Sequence, residues 1–195
     1  VTAAHRILIV DAHPDPDPAR FVHALADAYQ AGAAEGAREV RRIDLARLSF
    51  ELVSSRAAWE GDAPPPPIAA AQADIAWAEH ILFFYPLWLG DMPALLKGFL
   101  EQVARPGFAM GTGPSPKPML KGKSARIVVT MGMPALFYRF FYRAHSLKSF
   151  ERNILKFVGI KPVTHSIVGN VEGDEAHRLR WLERMHVLGR DESTD

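Results

Sequence analysis

A chain of 195 residues, 48% apolar and 23% charged, is long enough to bury one full core. Its 23 basic and 22 acidic side chains leave a formal net charge of +1, which excludes a global field that would draw it to nucleic acid or to an anionic membrane. The absence of cysteine excludes disulfides, thiolate catalysis and thiolate metal sites, and no apolar run is long enough to cross a bilayer.

The opening VTAAHRILIVDAHP enters a strand at once and lacks the shape of a signal peptide, so a cytoplasmic protein is expected. Ile7 to Val10 form an unbroken apolar run before a polar turn, as in a strand covered on both faces. From about Ala19 the sequence predicts a helix with Phe21, Leu25, Ala28 and Tyr29 on its buried face, ended by Gly32 or Gly36. REVRRIDLA predicts a short second strand, and strand, helix, strand at this spacing predicts a parallel βαβ unit. Residues 48–67 are expected to form a long irregular excursion with one short helix around Ser54–Glu60, because the proline run at 64–67 suits neither a helix interior nor a central strand. Such a stretch fits a functional loop and a plain surface loop equally.

IAAAQADIAWAE predicts a helix and HILFFY the third strand. Asp91 is the expected N-cap of the next helix, with Pro93 near its first turn and Leu95, Leu96, Phe99, Leu100 and Val103 as the buried stripe. The Gly- and Pro-rich run after Arg105 reads as loop, ARIVVTMG as the fourth strand, Ser146 to Phe157 as a helix and IKPVTHSIVG as the fifth strand. The final segment predicts an amphipathic helix with Leu179, Trp181, Leu182 and Met185 facing inward. With no internal repeat and no second domain, five strands alternating with helices over 1–195 give a single α/β domain, a three-layer sandwich.

Ligands of open parallel sheets bind beyond the C-terminal ends of the strands, where the strand order reverses. Three loops of unusual composition occupy such ends. HPDPDPARF opens a helix whose free N–H groups suit a phosphate, with His13 and Arg20 as added donors; a proline-stiffened turn capped by His13 is the plain alternative. Neither a dinucleotide fingerprint nor a P-loop is present. YPLWLG offers Pro86, Leu87, Trp88 and Leu89 as an apolar wall, either for a flat ring or as core filling. TMGMPALFYRFFYRAH supplies Tyr138, Tyr142 and His145 beside several phenylalanines, which read either as an aromatic cluster or as groups that stabilise an anion or relay a proton.

Together ILIVDAHPDP, RFVHALADAY, FFYPLWLGDMPALLKGFLEQVARPGFAM and the spaced Thr-Met-Gly, Tyr and His resemble the flavodoxin-like NAD(P)H dehydrogenase (quinone) family, which includes the mammalian quinone reductases and the bacterial modulator-of-drug-activity type proteins. The resemblance runs from about Arg6 to the last helix. It implies a five-stranded parallel sheet of order 2-1-3-4-5 and a homodimer with the site formed across the interface. It also implies a non-covalent flavin that takes a hydride from NAD(P)H and passes two electrons to a quinone-like acceptor. By motif match, His13, Arg20, Phe21 and Val22 fall in the flavin phosphate segment. Pro86, Leu87, Trp88 and Leu89 fall against the ring, and Thr130, Met131 and Gly132 along its polar edge. Tyr138 and His145 match the pair that handles charge on the reduced flavin. This chain departs from the family by Asp17 and Ala19 where a serine is usual, and by Thr-Met-Gly-Met in place of Thr-Thr-Gly-Gly. The lack of a long C-terminal extension favours FMN over FAD. An azo- or nitroreductase, and a regulatory flavoprotein subunit of an ion-efflux system, are the alternatives the same resemblance carries. No metal ligand set is expected.

Overall fold

The structure, a computed structural model, describes residues 5–61 and 63–191. The two ends of the expected 1–195 domain, and Asp62 of the expected excursion, lie outside the described residues. The strands β1 (Arg6–Asp11), β2 (Glu39–Asp44), β3 (His80–Pro86), β4 (Ser124–Thr130) and β5 (Val163–Val168) make one parallel sheet in the order β2-β1-β3-β4-β5. Ile7 to Val10 and Ile81 to Tyr85 are buried, which is why β1 and β3 read as unbroken apolar runs rather than as alternations. The register sets Asp11 beside Phe84 and Pro86 beside Thr130, so the turns leaving β1, β3 and β4 emerge next to one another.

Helices α1 (Phe21–Glu35) and α8 (Glu175–Asp191) cover one face of the sheet over Ile9, Leu82, Phe84 and Val128. The other face carries α3 (Pro66–Trp77), α4 (Ala94–Val103) and a helical run made of α6 (His145–Ser149), a π-helical stretch (Phe150–Leu155) and α7 (Lys156–Val158). Short helices α2 (Arg56–Glu60) and α5 (Ala135–Phe140) lie in the connections. Residues 48–55 hold no helix or strand, and α3 begins inside the proline run, with Pro66 and Pro67 in the first turn where a missing N–H breaks no helical bond.

Several expectations are corrected. The buried stripe of α1 is Val22, Leu25, Ala26, Tyr29 and Ala33, while Phe21 and Ala28 are partly exposed. Gly36 ends the helix; Gly32 sits inside it, where α8 crosses so closely that a Cβ on Gly32 would stand 1.9 Å from the His186 carbonyl oxygen. Gly189 answers it from α8, with a Cβ position 2.1 Å from the Tyr29 carbonyl oxygen. Leu179 is 56% exposed, and α8 is anchored instead by Met185 with Trp181, Leu182 and Leu188 beside it. Pro93, not Asp91, takes the N-cap position of α4, because Asp91 closes a turn with Trp88. Among the described residues no helix is long and apolar enough to cross a membrane.

Candidate functional site

The strand order reverses between β1 and β3, and beyond their C-terminal ends lies a cavity of about 730 Å³, within the range of small-molecule sites. Its floor is the start of α1, with Arg20, Phe21 and Val22; one wall is Pro86, Leu87 and Trp88; the other is Thr130, Met131 and Gly132. Val171, Glu172 and Arg178 close the side nearest β5. His13 enters from the first loop.

That loop is fixed by its own side chains. The Asp15 carboxylate accepts the Asp17 N–H at 3.0 Å, and the Asp17 carboxylate accepts the Ala19 N–H at 3.0 Å. Arg20 closes the staircase, with Nε 2.8 Å and Nη2 2.7 Å from one Asp15 oxygen. The carboxylate of Asp17, which a bound anion would oppose, therefore faces a backbone N–H and, at 3.6 Å, the Arg20 guanidinium. The Phe21 and Val22 N–H groups open α1 without an acceptor among the described residues, as the first turn of any helix requires unless it is capped.

Two histidines in this corner have their pKa values shifted in opposite directions. His13 Nδ1 lies 3.1 Å from the Asp15 N–H and 3.2 Å from the Asp15 carbonyl oxygen, so Asp15 holds the ring in either tautomer. Burial holds His13 below its ordinary pKa. His23, on α1 behind it, has Nδ1 2.6 Å from an Asp11 carboxylate oxygen and Nε2 2.9 Å from the Asp15 carbonyl oxygen. Burial alone would depress its pKa, but the Asp11 and Asp15 hydrogen bonds and the Asp11 charge outweigh it and raise the pKa. Asp11 is fully buried and also accepts Arg42 Nη2 at 2.6 Å; Arg42 in turn pairs with Asp27.

Trp88 stands in a tight turn closed by reciprocal Trp88 and Asp91 backbone bonds of 2.9 and 3.0 Å. Leu89 and Gly90 both have positive φ, +48° and +82°, as a type I′ turn demands. Trp88 is 48% exposed, with the His13 ring edge-on at 5.8 Å. Thr130 and Met131 are buried, and Met131 is held by its N–H on the Val168 carbonyl at 2.9 Å. No atom approaches within 4 Å of the place a Cβ on Gly132 would occupy, so the cavity is open there.

Ten of the thirteen residues expected at the site thus line one cavity; three do not. Leu89 sits at the turn's tip, fully exposed, because the positive φ it shares with Gly90 carries it over the crest. Tyr138 is buried inside its own segment, its hydroxyl 2.8 Å from Ser146 Oγ and accepting the Leu147 N–H at 3.2 Å. His145 is exposed at the start of α6 and does not line the cavity. The network of Asp11, His23 and Arg42 was not anticipated. Its signal is a charged residue ending an apolar strand and a histidine on the apolar stripe of α1. Val171, Glu172 and Arg178, which follow β5, were not expected at this site.

A second cavity of about 670 Å³ lies away from the strand ends, between α4, the 106–116 loop and the helical segment at 153–158. Its walls are mainly apolar, and two of its charged side chains, Lys97 and Glu101, pair with each other. It holds none of the expected site residues. Among the described residues no group of three or more His, Asp or Glu is placed to hold a metal ion.

The profile of the family described as having a flavodoxin-like fold matches residues 5–186. Among solved structures, the NAD(P)H:quinone oxidoreductase of Methanothermobacter marburgensis superposes with a TM-score of 0.85 at 26% identity, covering 98% of this chain and 100% of that one. An uncharacterized NAD(P)H oxidoreductase of Haemophilus influenzae is 29% identical over 170 residues, 84% of this chain and 83% of its own length. The glutathione-regulated potassium-efflux system ancillary protein KefG of Escherichia coli is 41% identical over 73 residues, which is 37% of this chain and 38% of that protein.

Proposed function

The chain belongs to the flavodoxin-like fold family, and on that footing we propose that it is a flavin-dependent oxidoreductase, which takes a hydride from NADH or NADPH and delivers two electrons to a quinone or a similar small acceptor. FMN is the flavin proposed, with FAD as the alternative. One observation carries this reading. A single cavity at the switch point gathers anion donors at one end, an apolar wall along one side and an open glycine edge on the other.

The residues present fit such a group. The Phe21 and Val22 N–H groups, the His13 ring and the Arg20 guanidinium make a set for one phosphate, and Asp15 and Asp17 hold Arg20 in place. Trp88, half exposed, is the face for a flat ring, and the His13 edge contact fixes its tilt. The Gly132 and Met133 N–H groups have no acceptor among the described residues, and we assign them to the ring's polar edge, where negative charge develops. Pro86, Leu87 and Met131 keep water from the inner side. When bound, the flavin supplies the hydride chemistry; the chain holds, tilts and shields it. Tyr138 and His145 take no part in this assignment, because neither reaches the cavity.

The KefG likeness favours a second reading, a regulatory flavoprotein without turnover of its own. One experiment separates the two. The purified protein is examined for colour, its flavin is identified after denaturation, and NAD(P)H oxidation is followed with a benzoquinone and with an azo dye. The expected result is a yellow protein that oxidises NADH or NADPH in the presence of quinone. A colourless protein that takes up neither FMN nor FAD would sink both readings, and a yellow one without turnover would favour the regulator.

A further inference from the structure

Behind the phosphate donors stands a histidine that touches no cavity. His23 projects from the first turn of α1, 7% exposed, and both of its ring nitrogens face groups that can only accept. The Asp15 partner is a backbone carbonyl. The Asp11 partner is a carboxylate oxygen that also receives Arg42 Nη2 at 2.6 Å. A neutral imidazole has one N–H and would leave one of these two acceptors facing a lone pair. Satisfying both takes the imidazolium.

We infer that His23 is a protonated pin that sets the shape of the 13–20 loop, and that flavin phosphate binding at His13 and Arg20 depends on its proton. The inference rests on the flavin reading above and extends it to a residue outside the cavity. The physical route is short. His23 holds the Asp15 carbonyl; the backbone of the same residue holds His13 Nδ1 and so fixes the His13 ring; the Asp15 carboxylate holds Arg20. Losing the His23 proton sets a ring lone pair against the Asp15 carbonyl or the buried Asp11 oxygen, and the loop that carries both phosphate contacts loosens. The phosphate would in turn favour the charged ring, so binding and protonation support each other.

The groups around His23 are few and nameable. Asp11 ends β1; Arg42 and Asp44 lie on β2; Asp27 lies one turn further along α1 and pairs with Arg42. His13, Asp15, Asp17 and Arg20 form the loop, with the His13 ring 5.4 Å from His23. Burial lowers the His13 pKa, so above that value His13 adds no competing charge. Helix α8 crosses α1 further along, at Gly32, away from His23.

The test has two parts. A proton NMR titration of the flavin-free protein, with the His23 resonance assigned by its loss in His23→Gln, reads the ring directly. The dissociation constants of FMN and of riboflavin, which lacks the phosphate, are then measured between about pH 6 and 9 on the unmodified protein and on His23→Gln. The expected result is a His23 pKa above the ordinary 6.5 and FMN affinity that falls about tenfold as the pH rises through it, the loss expected for one hydrogen bond to a charged group. Riboflavin affinity should stay flat, and His23→Gln should bind FMN about tenfold more weakly with no pH dependence in that window. A ring titrating at or below 6.5, FMN affinity independent of pH, or an equal pH dependence for riboflavin would each overturn the inference while leaving the flavin reading intact. Failure to bind FMN at any pH would remove the flavin reading and this inference together.

Discussion

Replacing Trp88 by alanine tests the site at its most exposed side chain. A tryptophan presents roughly 150–250 Å², and Trp88 is 48% exposed, so on the order of 100 Å² is free to meet a ring. Covering half to all of that area contributes about 1.3–2.5 kcal/mol at 25 cal/mol/Å², and an offset aromatic pair adds about 0.5–1.5 kcal/mol. Truncation also removes the edge contact with His13, whose ring centroid is 5.8 Å away. Taken with incomplete coverage, the expected loss is about 2–3 kcal/mol, or roughly 30- to 150-fold in the FMN dissociation constant. Quenching of flavin fluorescence on titration into Trp88→Ala measures it, with unfolding curves showing that the variant is folded. Riboflavin should lose affinity by the same factor, because Trp88 meets the ring and not the phosphate. Trp88→Phe should recover most of the loss. A folded Trp88→Ala protein that binds FMN within threefold of the parent would refute the placement of the ring on this wall.

Four further outcomes are expected. Gly32→Ala should destabilise the fold by about 1–3 kcal/mol despite a helix-propensity gain of about 0.5–1 kcal/mol, because its methyl would meet the His186 carbonyl at 1.9 Å; urea unfolding decides it, and an unchanged midpoint would mean that α8 is free to shift. Tyr138→Phe should cost about 1–3 kcal/mol of stability by stranding its buried partners, Ser146 Oγ and the Leu147 N–H, with flavin reduction by NAD(P)H unchanged in stopped flow; slowed reduction at full stability would return Tyr138 to the chemistry. The protein should be a homodimer, since Phe140 and Phe141 are 78% and 69% exposed beside Phe137 and Tyr142; sedimentation equilibrium showing a clean 21.6 kDa species would reject this. His23 has a raised folded pKa, so its contribution to stability is full below 6.5 and lost as the pH rises through the folded value. The gap in unfolding free energy between parent and His23→Gln should therefore narrow with rising pH, and a gap that widens would contradict the imidazolium.

The sheet was legible because β1 and β3 lie between two helical layers and carry no charge in their middles, and because helices of ordinary length separate the strands. The cavity walls were legible for a related reason. Turns at strand ends need unusual backbone, so Pro86, Trp88 and Gly132 stand out by composition. What failed depended on direction. Spacing does not distinguish a glycine that ends a helix from one that lets a second helix approach, so Gly32 and Gly36 read alike although Gly36 is the one that ends α1. Leu179 satisfies the helical period, yet the stripe of α8 turns about Met185. Tyr138 and His145 come close together in sequence, but two successive left-handed residues, Arg143 and Ala144, bend the chain between them, leaving the phenol inside and the imidazole outside. The Asp11, His23 and Arg42 network joins three elements, and no local pattern announces it.

The position of β1 in the sheet also has a kinetic consequence. Ile7 pairs with Val40 on one side and with His80 on the other, 73 positions later (80 − 7). At a synthesis rate of about 5–20 residues per second, roughly 4–15 s separate the emergence of the two partners. Throughout that interval Ile7 to Val10 have one edge hydrogen-bonded at most, and their apolar side chains wait for a β3 not yet made. The strand on which the 12–20 loop is hung is therefore an early product with a late partner. Its open edge is the point at which a nascent chain meets a chaperone or another copy of itself.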